Sequence, residues 1–139
     1  MCASREAVRI LQVLRNLLVM MAVITSTSRA YGADWLLAYK DRDGQTDYDR
    51  ATMVRTGSIV KVWTRTDFMP PKRVAGFREL IGRMVTREIV DCSSRTPATG
   101  QETLFDGHLQ AVFTWDGDPV FREVSPDSNG AALVMLMCD

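Results

Sequence analysis

Residues 58–68, SIVKVWTRTDF, alternate in character from end to end. Successive side chains of an extended chain point to opposite faces, so Val60, Val62, Thr64, Thr66 and Phe68 share one face, and Lys61, Trp63, Arg65 and Asp67 the other. A period of two sustained this long reads as a β-strand, and a strand with one apolar face needs a sheet around it that is covered on that side. The flanking segments supply the partners. DWLLAYK (34–40) reads as a strand ended by the turn chemistry of DRDG, and TDYDRATMVRTG (46–57) as two short extended pieces ending at Gly57. MPPKRVAG (69–76) reads as a loop, since two consecutive prolines cannot donate to a central ladder; Lys72 and Arg73 make it basic. GRMVTREIVDC (82–92) returns to strand character, and SSRTPATGQ (93–101) is a polar loop or a poorly ordered strand. ETLFDGHLQAVFTW (102–115) predicts a hairpin around Asp106-Gly107, with Leu109, Ala111, Phe113 and Trp115 alternating on a buried face.

The period changes at the end. SPDSNGAALVMLMC (125–138) places Asp127 or Ser128 as a helix cap ahead of a compact apolar run, too short to be stable alone. The expected fold is therefore α+β: an antiparallel sheet of about six strands, with one C-terminal helix packed on a face.

A length of 139 residues suits one domain, and a 46% hydrophobic, 24% charged composition is that of a folded globular chain. The first thirty residues stand apart. Arg5, Arg9 and Arg15, offset by Glu6 alone, precede the apolar LLVMMAVI (17–24) and the small polar TSTSRA (25–30). A basic region, a short apolar core and a small-residue exit are the three parts of a secretory signal peptide. Residues 1–30 are expected to be that peptide, cleaved after Ala30 or Gly32, leaving a domain over 31–139. The uncharged stretch 16–28 falls short of the roughly 18–20 apolar residues of a spanning helix, so no transmembrane span is expected in the mature chain. Cys2 precedes the apolar core and so is not a lipid-attachment cysteine, which favours the periplasm or the medium over the cell surface.

Loss of Arg5, Arg9, Arg15, Arg29 and Glu6 leaves 13 basic and 16 acidic side chains, a net charge of about −3. Neither this nor the zero net charge of the whole chain makes an electrostatic case for nucleic acid or an anionic membrane. Cleavage also leaves Cys92 and Cys138, which in an exported chain most simply form one disulfide.

The densest candidate for chemistry is DRDGQTDYDR (41–50). Counted from Asp41, an EF-hand would need glycine at its sixth position and glutamate at its twelfth; this chain puts glycine at the fourth and Thr52 at the twelfth. The segment reads as a charged hairpin turn, with a looser carboxylate site at Asp41, Asp43 and Asp47 as the competing reading. His108 is the one histidine, near Asp106, and no nucleophile elbow, phosphate loop or dinucleotide fingerprint accompanies it. No catalytic residue, metal or cofactor is assigned. Trp63 is either an ordinary half-covered sheet tryptophan or an aromatic anchor for a partner. The candidate binding residues are Trp63 with its neighbours Lys61 and Arg65, together with Lys72 and Arg73.

DW at 34–35, DYDRATM at 47–53, VKVWTRTDF at 60–68, Asp91-Cys92 and VSPDSNGAAL at 124–133 form an ordered set. By their order, spacing and two-cysteine frame, the chain from about Ala33 to Cys138 resembles the surface-adhesin protein E family, small exported domains of Gram-negative bacteria. Where the family pattern has a tryptophan before V-x-P and a glycine after its proline, this chain has Phe121 and Asp127. The resemblance implies an antiparallel sheet with a C-terminal helix, a Cys92–Cys138 disulfide and no catalytic site. It further implies a binding domain for protein partners, host extracellular-matrix or plasma proteins among them. The competing expectations are a periplasmic structural or envelope protein that binds a bacterial partner through a sheet edge, and, more distantly, a small hydrolase around His108. A homodimer through edge strands is compatible with either binding role.

Overall fold

The computed structural model describes residues 32–139, so the expected signal peptide, residues 1–30, lies outside the described residues. Seven strands form one antiparallel sheet: β1 (Trp35–Lys40), β2 (Gly44–Asp49), β3 (Val54–Thr56), β4 (Ile59–Arg73), β5 (Leu80–Asp91), β6 (Thr96–Asp106) and β7 (Ala111–Asp116). They run in the order β1-β2-β4-β5-β6-β7. The short β3 lies beside the start of β4, whose later residues pair with β2, so the two share one edge of the longest strand. The chain ends in a helix, α1 (Asn129–Cys138).

The β1–β2 hairpin is the aspartate-rich segment. The Asp41 carboxylate accepts the backbone N–H groups of Asp43 and Gly44 at 2.8 and 3.1 Å, a side chain standing in for backbone in a tight turn. Gly44 is required there: a Cβ would lie 2.0 Å from the Asp67 carbonyl oxygen of β4.

The double proline does not make a loop. β4 runs through Pro70 and Pro71 to Arg73, and the ladder to β5 jumps from Asp67↔Arg83 to Lys72↔Ile81. The prolines sit in that irregularity, where no amide is asked of them, which is how a sheet tolerates them. SSRTPATGQ divides likewise, a turn up to Arg95 and then β6, paired with β5 along its length.

A second expectation fails at β7. The hairpin turns at Asp106–Gln110 as predicted, but Leu109 is 54%, Phe113 40% and Trp115 38% exposed, and Ala111 is exposed too. Leu109 belongs to the turn, with φ 62°; Phe113 and Trp115 do stand opposite Leu104 and Glu102 on the face that carries the core, and a register shift between Leu104 and Phe105 brings Val112 against the same cluster. β7 is also the last strand of the sheet, with a neighbour on one side only.

Burial follows the alternation of β4. Val60 and Val62, with Val90 of β5, form one buried cluster with Leu133, Val134 and Met137 of α1. A second cluster, Phe68, Ile81 and Leu104, lies toward the far end of β4, with Val74, Phe77, Met84 and Val112 against it. Between them run buried threonines: Thr46, Thr64 and Thr86 are 2–3% exposed. We call this the front face and the Lys61–Trp63–Arg65 side the back.

Of the two predicted caps, Ser128 is the one used: its Oγ accepts the Ala131 N–H at 3.2 Å. Asp127, just before it, has φ 59°, the left-handed region that glycine occupies most easily. At the other end of α1, Cys138 is joined to Cys92 with Cα atoms 5.4 Å apart, and Arg55 of β3 donates to the Met137 carbonyl at 2.7 Å. The Arg55 bond satisfies a helix-end carbonyl that would otherwise be unpaired, while the disulfide fixes the helix end to β5's end.

Candidate functional site

The back face is a ladder of alternating charge. Arg65 on β4 meets Asp47 on β2 at 2.7 Å and Asp67 on its own strand at 3.6 Å, while Arg83 on β5 grips Asp67 through two nitrogens. The Arg65 guanidinium also lies 4.5 Å from the centroid of Trp35. Asp47 is 5% exposed and committed to Arg65, whereas Asp41 serves the hairpin turn. The looser carboxylate site at Asp41, Asp43 and Asp47 is therefore not assembled.

The five sequence-derived binding residues do not converge. Lys61 and Trp63 border a back-face cavity of about 430 Å³ with Val54 and Arg87, Trp63 being half-buried. Arg65 is held within the charge ladder. Lys72 stands on the front, its ammonium 3.9 Å from the centroid of Phe68. Arg73 is exposed and donates to the Arg78 carbonyl at 3.3 Å. His108 sits on an exposed turn whose Asp106 carboxylate accepts the backbone N–H groups of His108 and Gln110, at 2.8 and 2.9 Å. Those hydrogen bonds hold the Asp106 carboxyl below its ordinary range.

The front face holds what the sequence did not single out. Two cavities of about 450 Å³ each share Tyr39 of β1 and Asn129 of α1. The first takes in Glu88 and Trp115, the second Glu102 and Phe113. Register explains the grouping. Glu102 pairs with Thr86 and with Trp115, and Glu88 is two residues from Thr86 on the same strand. The two glutamates are thus diagonal neighbours on one sheet face.

Burial, then the charge of Glu102, push the Glu88 carboxyl up to about 7. Burial raises Glu102 also, and burial raises the Tyr39 phenol despite its hydrogen bond to Thr46. On β5 beside Glu88 and opposite Glu102, the Thr86 Oγ1 is buried with no hydrogen-bond partner among the described residues. Over the waist, the Asn129 amide donates to Asp41 at 2.7 Å, linking the start of α1 to the first hairpin.

The class this defines is a small single-disulfide antiparallel-sheet domain, its back laced with ion pairs and its front lined by acidic and aromatic side chains. The sequence model of surface-adhesin protein E matches residues 35–139, and the chain belongs to that family. No curated protein matches the chain. Among the described residues, no three metal-ligating side chains cluster and no helix is long and apolar enough to cross a membrane.

Proposed function

We propose that the domain is a non-catalytic binding module of an exported protein, made with the signal peptide over residues 1–30 and engaging a protein partner such as a host extracellular-matrix or plasma protein. The family match over residues 35–139 carries this reading. The geometry supports it: the one histidine lies on an open turn, and the Asp106 carboxylate beside it is occupied by backbone amides. For the partner surface we propose the back-face cavity around Lys61 and Trp63. There an aromatic ring, an exposed lysine and Arg87 stand together, a combination frequent at protein contacts.

The test has two arms. The processed protein is presented to immobilised matrix and plasma proteins, with Trp63→Ala and Lys61→Glu alongside wild type. Antibody raised to the folded domain is applied to intact cells. Saturable binding that both substitutions weaken, on a protein the antibody reaches, is the expected result. A protein that antibody reaches only after the outer membrane is opened has no host contact to make. A partner inside the envelope is then the reading that stands, to be captured by cross-linking in the periplasm.

A further inference from the structure

The front groove combines three features that a merely structural sheet face does not need. Two cavities share Tyr39 and Asn129; a half-buried glutamate borders the first without a compensating hydrogen bond or cation among the described residues; and the buried hydroxyl of Thr86, paired in register with Glu102, has no hydrogen-bond partner among them. A carboxyl drawn partly out of water and left without partners weakens a fold unless something else binds it. Acids outnumber bases along the walls: Glu88 and Asp118 stand against Arg122 in the first cavity, and Asp41, Asp43 and Glu102 against Lys72 in the second. Aromatic rings of Tyr39, Trp115 and Phe113 border the same space.

We propose that this groove binds an organic cation, an alkylammonium group on an apolar stem. The head lies at the waist between Glu88 and Glu102, and the stem lies along Tyr39 and the Trp115 or Phe113 ring. Carboxylates and aromatic faces both attract an ammonium, and most strongly where water is excluded. Each cavity is of a size that takes a small-molecule ligand or a long side chain. The site is separate from the Lys61–Trp63 surface and does not rest on its being a host contact. The cation has two sources, a free aliphatic amine or a lysine side chain of a partner.

The experiment uses the protein as isolated from cells, titrated at pH 7 with 1,5-diaminopentane, with a short peptide containing one central lysine, and with hexanoate as the anionic control. Binding is read by calorimetry and by the carboxyl carbon resonances of labelled glutamate. Saturation by the diamine alone assigns a free amine, and saturation by the peptide, with or without the diamine, a partner's lysine. In either case the cation moves the Glu88 resonance, lowers its titration midpoint and binds more tightly at pH 8 than at pH 5.5. Glu88→Gln weakens binding by about tenfold or more, with folding checked by circular dichroism. The proposal is overturned if neither cation saturates below about 10 mM. Equal binding of hexanoate, or unchanged affinity in a folded Glu88→Gln protein, also overturns it. Should that variant fail to fold, the wild-type resonance decides alone: a midpoint unmoved by either cation rejects the site.

Discussion

Replacing Glu88 by glutamine isolates what one acid costs the native state. In the folded protein its carboxyl is lifted from 4.5 to about 7, first by burial and then by Glu102. Between those two values the native state holds a proton that the unfolded chain has released. Stability therefore falls as pH rises through the window, is undiminished below it, and is fully reduced above it. The shift corresponds to roughly 3 kcal/mol. Residual solvent contact at Glu88, which is half-buried, reduces this to about 2 kcal/mol. Glutamine keeps the shape and cannot ionise. The carboxylates held low by hydrogen bonds, Asp41, Asp91 and Asp106, titrate alike in both proteins and cancel in the difference. Urea unfolding of wild type and variant at pH 4, 6 and 8 measures this. The two should agree closely at pH 4, and the variant should lead by about 2 kcal/mol at pH 8, on the order of 10 °C in melting temperature for a domain this size. A gap independent of pH, or one that opens toward acid, would refute the reasoning.

Three further outcomes follow from the fold. Replacing both Cys92 and Cys138 by serine removes a link between positions 46 apart and should cost roughly 4 kcal/mol on the chain-entropy model; a melting curve that matches the oxidised wild type would contradict it. Gly44→Ala drives a methyl group into the Asp67 carbonyl and should lose about 2 kcal/mol or more as β2 parts from β4, seen as early amide exchange in the first hairpin. At Asp127, glycine should leave stability equal or slightly raised, while valine should lower it by about 1–2 kcal/mol, because only glycine takes φ 59° without strain; thermal melts of the pair compare them directly.

How far the sequence speaks depends on the residue. The alternation through Val60, Val62, Thr64 and Phe68 gave both faces of β4, because a half-covered strand must repeat every two residues. The terminal helix was legible from its cap and apolar run, and the Cys92–Cys138 pairing from the count of cysteines expected in the exported chain and from the family resemblance. Pro70 and Pro71 misled because a missing amide ends a ladder only where the ladder asks for one, and register is a property of two strands. Phe113 and Trp115 misled because alternation gives a face and not its cover: they stand on the core's face, but on the outermost strand, and stay exposed. No motif marks Glu88 in the sequence. The signal was present in Met84, Thr86 and Val90, which share its face, but the burial of that face depends on Tyr39 and α1, distant in sequence.

The hydrogen bond from Asn129 to Asp41 joins residues 88 positions apart across solvent-exposed ground. Because Asn129 also borders both front cavities, that bond fastens a wall common to the two to the opposite end of the domain's sequence.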